Sequence, residues 1–183
     1  CMPGEFFKKR NKMSWSWLEN RPFLRSCQIY AMECAIHKEY DKAIELFKEN
    51  LSWNEGDNQG IRYLLLETYL KVKDYEQADK LVKKYREEHS IEFTFGAVAL
   101  AVLNDNIRLA DKLLQTAVKT NQYFVAEVSK SRHVKPPPHR IPGEPFFDAG
   151  IPTRSIQESY DYWNRNKELY KNKKIIEYFK DKG

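Results

Sequence analysis

A helical motif recurs three times in this chain of 183 residues, and the recurrence restricts the possible folds more than any other sequence feature. Each copy has an alanine followed four residues later by an apolar side chain, which places both on one helix face. The alanines are Ala43, Ala78 and Ala110, at spacings of 35 and 32 residues. A nearly constant period of this length is the signature of a repeat architecture.

Each copy is predicted to be the second helix of a helix-turn-helix pair. Amphipathic stretches that fit a first helix precede the copies, and the turns between them read HKEY, VKDY and NDNI. The small alanine lets the two helices approach closely, and we expect Tyr40 and Tyr75 to open second helices and fill the turn. One pair cannot cover its own apolar face, so neighbouring pairs must stack. The period predicts an all-α array of three helix pairs over residues 21–120 and favours it over a four-helix bundle.

The pattern resembles the tetratricopeptide repeat. The A-x3-F element of that repeat is intact at Ala43 and Phe47. The sequence departs from it elsewhere, because no tryptophan opens a first helix, no proline closes a repeat, and Leu66 and Val98 replace a small residue.

Segments of different character flank the array. Residues 1–20 are expected to form an N-terminal capping helix, with Pro22 opening the next helix. The aromatic residues assigned to that cap are Phe6, Phe7, Trp15 and Trp17. Most of the prolines lie between Pro136 and Pro152, so residues 121–154 are predicted to be extended.

Residues 155–183 are predicted to form a C-terminal helical appendage. Ser155 and Glu158 have the spacing of a capping box. The expected apolar face of the following helix consists of Ile156, Tyr160 and Trp163.

The bulk properties favour a cytoplasmic interaction module. The three cysteines form no CxxC pair and no disulfide framework; Cys27 and Cys34 share a helix face and are expected to be buried and reduced. No apolar run reaches the roughly 18 to 20 residues of a membrane span, and no signal peptide is visible. Residues 21–120 carry 15 basic and 16 acidic side chains, so the excess of positive charge lies in the flanks.

The concave side of the array is the predicted binding surface, and its expected partner is an unknown protein or peptide. In the tetratricopeptide register the first helices line this side, with polar and aromatic side chains suited to peptide recognition. The candidate groove residues are Arg25, Gln28, Met32, Asn58, Arg62, Tyr63, Glu67 and Phe95, with Glu92 and Ala99 also facing inward. The alternative is that Met32 and Phe95 belong to the core and that the chain itself, through residues 121–154, fills the groove.

The stretch GDNQGIRY (Gly56 to Tyr63) allows two interpretations. The start of the following helix, with Asn58 and Arg62 nearby, could bind a carboxylate or a phosphate. Alternatively, Asp57 caps the helix and Arg62 pairs with a neighbouring acid. Gly60 lacks a Cβ, which permits the close approach of either a neighbouring helix or the backbone of a partner.

Other functions have weaker support in the sequence. Single-stranded nucleic acid could bind where basic residues adjoin aromatic ones, at KKRNK beside WSW and at Arg165 and KNKK beside Tyr162 and Trp163. His133 and His139 lack the supporting ligands of a zinc site, so no metal or other cofactor is expected. No pairing of a nucleophile with a base is recognisable, and we expect no enzymatic activity.

Four strings carry a resemblance to a known family. They are ENRPFLR (Glu19 to Arg25), NEGDNQGIRYLLLETYL (Asn54 to Leu70), the stretch from Asn121 to Lys135, and GIPTRSIQESYDYWNRN (Gly150 to Asn166). They resemble a family of mostly bacterial tetratricopeptide proteins that is distantly similar to the suppressor of tumorigenicity family of animals. The resemblance implies an α-helical repeat fold with a C-terminal addition, and no established activity. Relatives can carry a cysteine-rich tail that binds metal. This chain lacks the cysteines of such a tail, so the resemblance implies no metal site.

Overall fold

The computed structural model describes residues 12–139 and 150–183, and the regular elements of these residues are all helices. The expected all-α array is therefore confirmed. A short 3₁₀ helix (Leu18–Asn20) precedes ten α-helices. These are α1 (Arg21–Ile36), α2 (Tyr40–Trp53), α3 (Ile61–Val72), α4 (Tyr75–Lys84), α5 (Ile91–Leu103), α6 (Ile107–Thr120), α7 (Phe124–Ser129), α8 (Ile156–Arg165), α9 (Lys167–Tyr170) and α10 (Lys173–Lys182). Two compact units can be distinguished, of which the first ends at Asp74 and the second begins at Tyr75.

The turns α1–α2, α3–α4 and α5–α6 have the same backbone geometry. In each, a residue with a positive φ follows the first helix: Lys38 at 63°, Lys73 at 63° and Asp105 at 57°. The next amide donates to the carbonyl five residues earlier, with N–O distances of 2.8, 2.9 and 2.9 Å. This is the Schellman pattern of helix termination. Its recurrence at the spacing of the three alanines shows that the sequence period corresponds to a structural period.

The alanines occupy the closely packed positions predicted for them. Ala43, Ala78 and Ala110 are fully buried. In the first copy the apolar residue four positions later, Phe47, is also buried. In the second copy Val82 is only half-buried, and the preceding Leu81 takes the inward position.

The first unit has its core between one face of α1 and the neighbouring helix α2. Leu24, Met13 and Trp53 form a buried cluster, and the Met13 amide donates to the Trp53 carbonyl at 2.8 Å. As expected, Cys34 is buried and Cys27 packs partly buried against this cluster.

The expected N-terminal capping helix is wrong for residues 12–20, which form a turn and the 3₁₀ helix. Met13 is buried against α1, Trp15 packs partly buried against the same cluster, and Trp17 remains 68% exposed. Phe6 and Phe7 lie outside the described residues.

An aromatic cluster forms the core of the second unit. The Phe124 ring lies at its centre, 4.5 Å from Phe95, 5.0 Å from Tyr162 and 4.9 Å from Tyr170, measured between ring centroids. Phe179 from α10 is fully buried beside it. Helices α7 to α10 therefore supply half of a core rather than an appendage.

The structure corrects two further expectations about the C-terminal half. Residues 121–154 are not extended throughout, since Phe124–Ser129 is the helix α7. The buried face of α8 consists of Ser159, Tyr162 and Trp163, whereas Ile156 is 40% exposed. The contact of Tyr162 with Phe124, which is distant in sequence, favours this rotation of α8, and such a contact leaves no local pattern.

The start of α8 is capped as predicted, with one difference. The Ser155 hydroxyl accepts a hydrogen bond from the Glu158 amide at 3.0 Å. The Glu158 carboxylate does not complete a capping box with Ser155. It accepts from the Arg154 amide at 2.7 Å and from the Asn121 side-chain amide at 2.9 Å.

A buried carboxylate anchors the segment that follows α7. Glu127 is 1% exposed, and it accepts hydrogen bonds from His133 at 2.9 Å and from the Lys130 ammonium. The His133 ring stacks on Trp163 with 3.5 Å between centroids. His133 is thus a structural residue, which explains its position in a proline-rich loop.

Candidate binding surface of the first unit

Phe95 belongs to the second unit and is part of its core. Phe95 is 0% exposed and packs against Phe124 and Phe179 in the second unit, and Ala99 is also fully buried. The third copy of the motif thus follows the alternative interpretation, in which the chain covers its own first helix. The covering residues come from α7 and α10. Of the remaining candidates, Glu92 lies in the second unit, where it pairs with Arg165 at 3.1 Å, and the others lie in the first unit.

The DNQG turn is organised around Asp57. Its carboxylate accepts hydrogen bonds from the amides of Ile61 at 2.7 Å and Arg62 at 3.0 Å. It also pairs with the Arg62 guanidinium at 2.8 Å, and the Asp57 side chain is only 3% exposed. Asp57 thus satisfies amides at the start of α3 and neutralises a partly buried cation.

Arg62 and Tyr63 are held in the same turn. The Arg62 guanidinium donates to the Tyr63 hydroxyl at 2.6 Å and lies 4.3 Å from the centre of the Tyr63 ring. The amides and the guanidinium considered for anion binding are therefore already bound to Asp57. The second interpretation of the GDNQG stretch is correct, although Gly60 rather than Asp57 occupies the N-cap position.

Gly60 is required by the turn itself. Its φ is 71°, in the left-handed region that favours glycine. A Cβ at this position would lie 2.9 Å from Cδ2 of Tyr63.

The other groove candidates differ in their surroundings. Asn58 is exposed and Glu67 is half-buried. The Gln28 side-chain oxygen accepts a hydrogen bond from the Gln59 side chain at 2.7 Å, which joins α1 to the start of α3. Gln28 therefore holds the DNQG turn in position beside α1.

Arg25 and Met32 belong to an exposed stripe that begins at Leu18 in the 3₁₀ helix and continues along α1, which we call the outward stripe. Its six residues follow one another at intervals of four and three positions and are all exposed. They are Leu18, Pro22, Arg25, Ile29, Met32 and Ile36. The exposed fractions of the large apolar members are 65% for Leu18, 60% for Ile29, 39% for Met32 and 68% for Ile36.

The outward stripe lies opposite the core face of α1. Successive residues of an α-helix are rotated by about 100°. Ile29 and Met32 therefore point away from the side that carries the buried Leu24, Ala31 and Cys34. An exposed helix of a soluble domain normally has one apolar face and one polar face. Helix α1 has two apolar faces, and only one of them is used by the core.

Positive charge adjoins the N-terminal end of the outward stripe. The guanidinium carbons of Arg21 and Arg25 lie 5.2 and 5.3 Å from the centre of the Trp15 ring. The Arg21 Nε also donates to the Trp15 carbonyl at 2.9 Å. Among residues 12–139 and 150–183, no carboxylate forms an ion pair with either arginine. A shallow pocket lined by Lys12, Ser14, Trp17, Glu19 and Asn20 opens at the same end of α1.

Comparison with known proteins places the chain in one family. The family described as transcriptional repressor TCF25, or Tcf25, matches residues 2–183. The chain belongs to the Tcf25 family. No curated protein and no solved structure gives a match. These comparisons do not support the bacterial tetratricopeptide family to which the sequence motifs were compared.

The structure of this Tcf25-family chain weighs against nucleic-acid binding at its C-terminal flank. Tyr162 and Trp163 are buried, and Arg165 pairs with Asp161 at 2.9 Å and with Glu92 at 3.1 Å. These rings are not available to stack on bases. At the N-terminal flank Trp17 is exposed, while the basic residues before Lys12 lie outside the described part of the chain.

Potential metal ligands are not clustered in the parts of this Tcf25-family chain that the structure describes. There, no three His, Cys, Asp or Glu side chains converge in a way that could hold a metal ion. Burial and the nearby Glu49 carboxylate raise the pKa of the Cys27 thiol, which keeps it protonated. None of the described helices is long and apolar enough to cross a membrane. Within the described part of the chain, the packing of the core does not explain the outward stripe.

The sequence contained the signal for the stripe. Our groove assignment followed the tetratricopeptide register and therefore included Arg25 and Met32 but missed Leu18, Ile29 and Ile36. These three residues can be recognised by counting apolar residues at intervals of three and four, without assuming a tetratricopeptide register.

Proposed function

We propose that this chain is a protein-binding module with a regulatory role related to transcription, and that the outward stripe of α1 holds its partner. The description of the Tcf25 family supports the regulatory role. Because we expect the chain not to be an enzyme, it would act by holding a protein or peptide.

The observation that carries this proposal is the second apolar face of α1. Ile29 and Ile36 are 60% and 68% exposed, although leaving such side chains in water forgoes about 1.5–3 kcal/mol each relative to full burial. Contiguous exposed apolar residues on a folded protein typically mark an interaction site. Several of them at helical spacing form one continuous surface rather than scattered exposures.

The repeated helix pairs also support a protein-binding role, although they do not specify the surface. The three similar turns recur at the period of the alanines, and we propose that the helix pairs form a tetratricopeptide-like array, in which first helices present side chains to a partner. In that arrangement Arg25, Gln28 and Met32 of the original groove assignment lie on or beside the outward stripe. The cellular setting that we propose is the cytoplasm or the nucleus, because Cys27 and Cys34 are free thiols.

An affinity-capture experiment with two matched variants tests the proposal. Ile29→Glu places a charge in the outward stripe, and Ile107→Glu makes the same change at an isoleucine of α6 that is 46% exposed. We expect the wild type and Ile107→Glu to retain the same partner, and Ile29→Glu to bind it at least about tenfold more weakly.

Circular dichroism of both variants checks that the fold is intact. If Ile29→Glu folds normally and retains every partner of the wild type with equal affinity, the outward stripe is not the binding surface.

A further inference from the structure

We infer that the partner of the outward stripe is an amphipathic helix that carries acidic residues at the end lying against Arg21 and Arg25. This inference rests on the proposed function and specifies the chemistry of the partner. It follows from the spacing of the stripe and from the charges beside it.

The spacing of the stripe fits another helix. Its residues alternate between intervals of four and three, which is the pattern of the a and d positions of a coiled coil. Side chains at these positions form the knobs and holes that an opposing helix needs. An extended strand has a side-chain period of two and does not match them. With a rise of 1.5 Å per residue, α1 offers a seam roughly 24 Å long, enough for four to five turns of a partner helix.

The charges beside the stripe specify one end of the partner. Arg21 and Arg25 lie at the N-terminal end of α1, and no described carboxylate pairs with them. Their contacts with the Trp15 ring hold both guanidinium groups in place before a partner arrives. Carboxylates of a bound helix would find two neighbouring guanidinium donors there, and such charge complementarity selects the partner and its orientation.

A second copy of the chain fits less well than a foreign helix. Helix α1 contains one carboxylate, Glu33, which lies near the other end of the helix and 3.9 Å from His37. Self-association through α1 would bring two arginines of each copy into the interface with only one α1 carboxylate per copy, Glu33, so the charges would not balance. An uncompensated charge in an interface is costly. The charge pattern therefore favours a partner of different sequence.

Two synthetic peptides of about 20 residues test the inference against the intact chain. Both have leucine at the a and d positions. In the first and last turns of the helix, the positions next to the leucines (e and g) carry glutamate in one peptide and lysine in the other. We expect the glutamate peptide to bind about tenfold more tightly than the lysine peptide in fluorescence anisotropy at about 50 mM salt.

The Arg21→Gln/Arg25→Gln variant should reduce this preference to less than about twofold while it still binds both peptides. Raising the salt concentration to about 1 M should reduce the preference of the wild type in the same way, without any change in the protein.

The outcomes separate the inference from the proposed function. Equal binding of the two peptides, lost in Ile29→Glu, would overturn the acidic partner and leave the docking surface standing. Binding that Ile29→Glu does not weaken would contradict both. If neither peptide binds, or if sedimentation shows a dimer that Ile29→Glu dissociates, the foreign acidic helix is wrong.

Discussion

Single residues with a positive φ fix the turns of this molecule. Gly60 initiates α3 at φ 71°, and Lys73 ends it at φ 63°. Glycine adopts this conformation without strain, whereas a residue with a Cβ does so at a cost of roughly 1–2 kcal/mol. Replacing Gly60 with a residue that has a Cβ should therefore lower the stability of the fold, whereas replacing Lys73 with glycine should raise it.

Replacing Gly60 with alanine should destabilise the first unit. The new Cβ meets the strained φ and a Tyr63 ring carbon only 2.9 Å away, so we expect a loss of about 1–3 kcal/mol in the free energy of unfolding. Urea denaturation measures the loss. Gly56→Ala is the matched control, because the φ of Gly56 is not positive and its new Cβ meets only the mobile Asn58 side chain at 3.1 Å. Equal losses for both variants would contradict the role assigned to Gly60.

Replacing Lys73 with glycine should stabilise the protein. Relief of the left-handed conformation is expected to raise the free energy of unfolding by about 0.5–1 kcal/mol. The control is Lys71→Gly within α3, where glycine should cost about 1 kcal/mol. The prediction fails if thermal denaturation shows that Lys73→Gly is the less stable of the two variants.

At the scale of elements, a hydrogen-bonded group of side chains joins α6 to α10. The Tyr178 hydroxyl donates to the Asp111 carboxylate at 3.0 Å, and the Lys182 ammonium lies 3.2 Å from the same oxygen. The Tyr178 and Lys182 donors hold the pKa of Asp111 below its ordinary value of 3.8. Burial, with the Asp111 carboxylate, raises the pKa of Tyr178 above its ordinary value of 10.0.

These shifts predict how the contribution of the contact varies with pH. Because the pKa of Asp111 is lowered on folding, its contribution is present above about pH 4 and is lost as the pH falls further. Because the pKa of Tyr178 is raised, its contribution is present below about pH 10 and is lost at higher pH. The stability difference between wild type and Tyr178→Phe should therefore be constant from about pH 5 to 9 and shrink below pH 4. A difference that stays unchanged at pH 3 would show that the Asp111 carboxylate is not involved.

The core of the second unit depends on helices that are distant in sequence. Phe179→Ala removes a fully buried ring beside Phe124 and Phe95, so we expect a loss of about 3–5 kcal/mol in chemical denaturation. Tyr123→Ala, at a ring that is 41% exposed, should cost less than about 1 kcal/mol. Similar losses of unfolding free energy in the two variants would mean that α10 does not contribute to the core of the second unit.

Local patterns predicted α1 to α6 well. The alanine period and the turn residues are properties of short segments, and a stacked array repeats them. Helix α7 was missed because its six residues adjoin a proline-rich segment and are too few to show a period. The burial of Phe95 was not predictable either, since Phe124 and Phe179 cover it from far along the chain. Asp57 was recognisable as a capping residue, because an acid before a helix has few other local roles.

At the scale of the whole molecule, the fold accounts for most of the unusual sequence features. The DNQG turn, the buried Glu127 and the aromatic cluster around Phe124 all have structural roles. The outward stripe of α1 has none within the fold. This contrast separates the residues that maintain the structure from those proposed to bind a partner, and it agrees with membership of a family described as regulatory.

Site-specific photocrosslinking from α1 tests the central claim most directly. A benzoylphenylalanine replaces Met32 in the outward stripe or, as a control on the same helix, Tyr30, which is 49% exposed and off the stripe. We expect irradiation in cell extract to join a protein partner to position 32, with little product from position 30, and Ile29→Glu to abolish the product. Equal products from both positions, or a product at position 32 that Ile29→Glu leaves unchanged, would contradict the claim that the outward stripe holds the partner.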